Sequence, residues 1–500
     1  MMKKVGVCGA LVALVAFTTL SLGGCFFDPA GVPSFSGEVD ASLPHDGSEN
    51  SDAAVYPDGF IWLDAAPDGS SPDPDGAIPD AAMPDASPLC DEASCPLGCT
   101  SPTGRCRRLD PTNFNVTGFY NSITGGLSVG SGEVVVVDTD NGEIDGSVTY
   151  RNAGSLDDTV NGIYFNTVSQ IGGPELAVFG VTTLDLPANA SLVIVGSHPV
   201  AFYVKGDTSI AGLIDARASG AQPGPGGGSG GAANGDDGET CGSGSQGRGG
   251  DEDYSQPWES GGGGGGNGGS GGRGGNIINN YVSGGAAGLP RTSPSLSPLV
   301  AGCGGGAGGG PDPFGNDENG GDGGYGGGGG GGVQISCNGT LTLSGGGGID
   351  VAGAGGQGGN YGAGGGGGGS GGSVLLEAVA IQNGGLIAAN GGGGGAGGEN
   401  TSHPVSENGD DGRFASTRAP GGTGYYNAAQ TCSGVTCYGG DGGDGGAGAL
   451  VSGVRGQDNV PNAGGGGGGA GIIVFRYEET LAQGSSSPSN VQTSQGLSTW

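Results

Sequence analysis

The chain reads as an all-β protein: a repeating, solenoid-like series of short strands interleaved with polyglycine segments and preceded by a disordered acidic tether. Three observations predict this. Apolar residues are 34% of the chain and fall in short β-branched and aromatic clusters, suited to thin layers rather than one large globular core. Glycine reaches 127 of 500 residues, with 97 of them inside 221–471, far above the usual ~7%. A module also recurs, in which a glycine run leads to a strand, a turn, a second strand and more glycine. Its strands start at Val333 and Val374, 41 residues apart, and repeats of this length mean stacked units that bury their faces against neighbours.

Residues 1–24 form a secretory signal, with Lys3 and Lys4 before an apolar run and small residues at its end. That end, Leu22-Gly23-Gly24-Cys25, resembles the lipobox of bacterial lipoproteins. The resemblance implies a lipidated Cys25 with a diacylglyceryl thioether and an acylated amino group. Several acyl chains hold a membrane firmly where one binds only marginally. Phe26 follows the cysteine where inner-membrane lipoproteins of that kind carry Asp. Outer-membrane or cell-surface placement is therefore expected.

Residues 25–89 are the lipidated tether. Positions 26–89 hold 13 acids, ten prolines and no Lys or Arg, with Pro-Asp-Gly or Pro-Asp-Ala starting at Pro57, Pro67, Pro74, Pro79 and Pro84. Fixed φ angles and like charges stretch such a segment, to about 200 Å at ~3.1 Å per residue. Residues 90–109 carry Cys90, Cys95, Cys99 and Cys106, a small knot expected to hold two disulfides. Three connectivities are open. The spacing lacks the second short knuckle of a zinc site.

From 110 to 220 the texture is strands separated by Gly, Asn and Asp turns, such as Leu192-Val-Ile-Val195 and Ala201-Phe-Tyr-Val204. Region 221–471 holds the glycine repeats, interrupted by insertions at roughly 221–324 and 399–463, and 472–500 adds a final strand and a Ser/Thr/Gln-rich tail. Two readings of the glycine runs stand. They are flexible linkers, since glycine loses most entropy on ordering. Alternatively they are extended threefold chains packed as a flat slab through backbone hydrogen bonds, a reading favoured by repetition of the whole module.

Lipobox, Pro-Asp-Ala tether, cysteine knot and glycine modules (GDTSIAGLIDARASG, GGSVLLEA, GGLIAANGGGG) together resemble Gly-rich predicted surface lipoproteins of myxobacteria. The resemblance implies location and texture and no activity.

Charge excludes some partners. The chain is at −34, and losing Lys3 and Lys4 makes it −36. Nucleic acid, whose phosphates need Lys and Arg, is excluded, and anionic lipid would repel the chain, leaving the acyl anchor to hold it at the membrane. No HExxH or P-loop motif occurs among the three histidines and many glycines. Asp215, Arg217 and Asp350 are the nearest approach to catalytic acids and their partner in a carbohydrate-active β-helix enzyme, the alternative to a structural or adhesive protein without catalysis. Turn roles suit them better. No cofactor is expected. Calcium is the most plausible ligand, at Asp444 in Gly-Gly-Asp-Gly-Gly-Asp or at Asp317, Asn319 and Asp322.

The thiols divide as follows. Cys241 pairs with Cys303 by elimination, Cys432 with Cys437 by proximity, and Cys337 shares the inward face of VQISC as a buried free thiol. Tyr254, Trp258, Tyr425, Tyr426 and Tyr438 are expected as exposed anchors for extracellular matrix or polysaccharide.

Overall fold

Val134–Asp138 shows the local rule from which the body is built: Val135 and Val137 are buried while Val134 and Val136 face outward, as the two-residue strand period requires. The computed structural model describes Leu97, Cys99, Thr100 and residues 105–500, except 233, 242–245, 252–257, 279–281, 292–294, 311–321, 399–405, 433, 434, 459 and 490. The signal 1–24, Cys25, the tether, Cys90, Cys95, Tyr254, Asp317 and Asn319 lie outside the described residues, as do the side chains of Tyr426, Cys432, Cys437 and Tyr438.

The described residues contain no α-helix, only the 3-10 turn Tyr120–Ser122. Twelve strands set the architecture. They begin with β1 (Val134–Asp138), β2 (Leu176–Val181), β3 (Ser191–Val195), β4 (Val200–Val204), β5 (Leu213–Asp215) and β6 (Gly332–Leu343). They continue with β7 (Gly348–Asp350), β8 (Ser373–Asn383), β9 (Leu386–Ala388), β10 (Ile472–Ala482), β11 (Ser485–Ser487) and β12 (Gln492–Gln495). Even-numbered strands share one mixed sheet and odd-numbered strands another. Each even strand pairs in parallel with the next, from β2 to β12. The odd strands do the same from β1 to β11. The chain therefore alternates between the sheets and adds a parallel strand at every return. Antiparallel strands complete the sheets beyond β2 (Ile163–Val168, Asp158–Val160) and β1 (Ile144–Asp145, Thr149–Arg151).

Register stacks like residues in rows. Val200, Val333, Val374 and Ile473 form one, and Phe202, Ile335, Leu376 and Phe475 another. Ile214, Ile349 and Ile387 align in the odd sheet, and all these residues belong to one buried core. The outer face of the even sheet is covered too, by Phe114, Val116, Phe119, Ile123, Leu296 and Leu299. Burial on both faces explains why Val200–Val204 is an unbroken apolar run.

Composition changes at 220, but the body does not. Strands β6, β8 and β10 extend the sheet that β2 and β4 begin, so the sequence boundaries at 220 and 471 fall within one compact unit.

Cys241 and Cys303 form a disulfide with Cα atoms 4.7 Å apart. Cys99 and Cys106 are both in disulfides and face each other across a short antiparallel pair. Cys337 is a buried free thiol, pushed up to about 12 by burial.

Candidate binding face on a glycine array

An extended threefold chain makes no hydrogen bond within itself, so every N–H and C=O must find a neighbour when buried. The glycine segments find them in one another. Along 364–372 the partner changes with a period of three. Gly364, Gly367 and Ser370 donate to Gly309, Gly306 and Cys303. Gly365, Gly368 and Gly371 donate to Ala463, Gly466 and Gly469, while Gly366, Gly369 and Gly372 donate to Gln357, Ala354 and Val351. Three further segments donate to this one, through Gly324, Gly327 and Gly330, through Gly262 and Gly265, and through Gly392 and Gly395. The rod has six neighbours, three receiving its protons and three supplying theirs. Segment 463–471 is surrounded in the same way.

These contacts leave no room for a side chain. A Cβ on Gly367 would sit 2.0 Å from the Gly263 carbonyl oxygen, and one on Gly465 2.0 Å from that of Gly366. The glycine runs are thus ordered rods, neither free linkers nor a flat slab, because six neighbours make a bundle in three dimensions. The expected insertions also belong to it. Segments 261–275, 284–291, 406–412, 419–424, 439–446 and 451–457 all exchange backbone hydrogen bonds with the array.

At the rim, a side chain returns at every third position, as in Ser270, Arg273 and Asn276, or Asp441, Asp444 and Ala447. Several of these rim side chains meet outward N–H groups that no rod reaches. Gly424 donates to Asp441 (2.7 Å), Gly421 to Asp444 (3.1 Å), Gly355 to Asp411 (2.9 Å), Gly358 to Asn408 (2.9 Å), and Gly249 to Asp237 (2.9 Å). A carboxylate only accepts, and an ionised acceptor makes the stronger bond, so acids suit a row of exposed donors. Asp441 and Asp444, placed in a calcium motif by sequence, are engaged here. Among the described residues no group of three or more His, Cys, Asp or Glu could hold a metal ion.

Rods 351–359 and 389–398 leave β7 and β9, and rods 323–331, 363–372 and 463–471 return into β6, β8 and β10. One end of the array therefore adjoins the sheets and the other is a tip. Gly359, Gly397, Gly440 and Asn462 mark the tip through bonds from Gly359 to Ala396, Gly397 to Gly440 and Gly440 to Asn462. Tyr325, Tyr361 and Tyr425 lie at this same end and are 43%, 46% and 38% exposed. Sequence reasoning found Tyr425 and missed Tyr325 and Tyr361, whose signal was an aromatic interrupting glycine. It misjudged Trp258, which is buried because it opens the central rod 258–266. From Tyr325 a groove of about 500 Å³ runs along the side of the array, lined also by Gly326, Gly355, Gln357, Asn408, Asp410 and Asp411.

The candidate catalytic residues fall elsewhere. Asp215 and Asp350 are register neighbours on β5 and β7, and the Arg217 guanidinium is 3.1 Å from Asp215. Asp350 is fully buried, and its Oδ2 has no hydrogen-bond partner among the described residues. Burial pushes its carboxyl up to about 7. Such a value suits proton transfer, but a carboxyl without exposed surface is closed to a polymeric substrate. Glu377 on β8, unnoticed within an apolar strand, is likewise buried. It accepts from Thr112, Gln334 (2.9 Å) and Ser336 (2.8 Å), with Arg476 at 3.7 Å. These bonds fasten residues 110–113 to the sheet and leave Glu377 a saturated anchor. Comparison with protein families, curated proteins and solved structures finds no match.

Proposed function

We propose that this chain is a lipid-anchored protein of the bacterial cell envelope, at the outer membrane or cell surface, acting as a structural or adhesive component without catalytic turnover. On this reading its strands form a solenoid-like coil whose glycine rods hold a binding face. The observation that supports it is the gathering of Tyr325, Tyr361 and Tyr425, all exposed, at one end of an array whose interior glycines leave no room for a Cβ. Rigid presentation of aromatic side chains lowers the entropy lost on binding, and Tyr is a frequent anchor.

Two variants test the proposal. Cys25→Ala should move the protein out of the membrane fraction and abolish labelling by an alkyne fatty acid. Labelling that persists would remove the anchor. The triple change of Tyr325, Tyr361 and Tyr425 to Ala should leave the protein folded and anchored but lower attachment to cells or extracellular matrix at least tenfold. Undiminished attachment, or product release from a polysaccharide panel, would overturn the adhesive reading.

A further inference from the structure

Resting on that adhesive reading, we infer that the groove beginning at Tyr325 binds an uncharged, hydroxyl-rich polysaccharide chain. Its volume falls within the range of small-ligand sites, and like them it combines an aromatic surface with a few polar groups. The floor is backbone: Gly326 and Gly355 carry no side chain, so a flat ring can approach the rods closely. At the tip end Tyr325 offers an exposed ring, whose apolar body and polar hydroxyl suit the C–H face and rim of a sugar.

Along the wall the polar groups are mixed. Asn408 spends its Oδ1 on Gly358 N (2.9 Å) and keeps its amide protons for a ligand. Asp411 spends Oδ1 on Gly355 N (2.9 Å), leaving its second carboxylate oxygen as an acceptor. Gln357 supplies both a donor and an acceptor. Because their backbone or side-chain bonds fix these residues to rods, the groove is formed before the ligand arrives.

Charge selects among polymers. Asp410 is paired with Arg413 at 2.6 Å, but Asp411 has no such cation among the described residues, and the chain is at −34. Uronic or sulfated polymers would be repelled. A peptide ligand fits less well, since among the described lining residues only Tyr325 and Ala221 offer apolar side chains to take side-chain anchors.

The test uses the full chain with Cys25→Ala, so that it is soluble, and titrates neutral β-glucan and mannan oligomers, glucosamine oligomers and oligogalacturonates. Neutral oligomers should bind and oligogalacturonates should not. Tyr325→Ala should weaken binding at least tenfold, Tyr325→Phe less than threefold, and Tyr361→Ala not at all. Absence of neutral binding, preference for the amino sugar or the acidic oligomer, or indifference to Tyr325→Ala would each overturn the inference. Matrix attachment that survives while the oligomers fail would sink the groove alone, whereas oligomer binding without attachment would sink the adhesive reading alone.

Discussion

Burial holds the Asp350 carboxyl at about 7, against 3.8 for an unperturbed aspartate, and Asp215 beside it adds a like charge. The folded chain therefore keeps a proton that the unfolded chain releases, and the stability this brings is lost as pH rises from about 4 through 7. Glu133 has the opposite sign. Hydrogen bonds from Ser147, Gly130 and Tyr150 lower it to about 2, so its contribution is lost as pH falls from 4.5 towards 2. Asp350→Asn should leave the unfolding midpoint near pH 4 almost unchanged and raise stability at pH 8 by about 2–4 kcal/mol. Thermal unfolding of both proteins at the two pH values checks this, and an equal effect at both would contradict it. At this scale the sequence was partly legible. Alternation in VQISC placed Cys337 inward, where it is found. Asp350 looked like a turn residue because nothing local shows that β7 lies between β5 and β9 with both faces covered.

Strands announced themselves through β-branched runs, whereas the rods did not, because glycine has no side chain with which to display a period. The legible trace was at the rim, where SGGRGGN and DGGDGG carry one side chain in three. An interior rod gains roughly one backbone hydrogen bond per residue, worth about 0.5–1.5 kcal/mol. Ordering glycine costs about 0.5–1 kcal/mol more than ordering alanine. Fixing any backbone already costs about 1–2 kcal/mol per residue, so hydrogen bonds alone do not offset the ordering, and close packing and attachment to the sheets decide the outcome. Gly367→Ala, which forces backbone apart, should destabilise by about 3 kcal/mol or more. Gly118→Ala, with nothing within 4 Å of the new Cβ, should be neutral or stabilise by up to about 1 kcal/mol. Denaturant midpoints separate the two, and similar effects would mean that the rods are loose. The Cys241–Cys303 bridge spans 62 residues, and its loss should cost up to about 4 kcal/mol by chain entropy.

Sheets and array are built from one continuous path. Each passage out along a rod, round the tip and back delivers the chain to the next even strand, so the core rows of β6, β8 and β10 depend on rods of matching length. Deleting 221–471 would remove β6 to β9 and cannot be read as excision of a binding domain. The sequence suggested separable regions because composition changes abruptly at 220, and long-range pairing leaves no compositional mark. Hydrogen exchange reads this integration directly. Amides of 364–372, 463 and 465–471 are buried and bonded to neighbouring segments at 2.7–3.0 Å, so they should open only with the sheets they feed. Rod 451–457 lies at the rim, with Ser452 and Arg455 exposed, and should open locally at lower free energy. Mass spectrometry of the exchanging protein should then place peptides from the two interior rods in the same slow class as those from β8 and β10, with 451–457 exchanging at least tenfold faster. Interior rods exchanging at the rate of an unstructured chain would restore the linker reading, and with it remove the rigid support from Tyr325, Tyr361 and Tyr425.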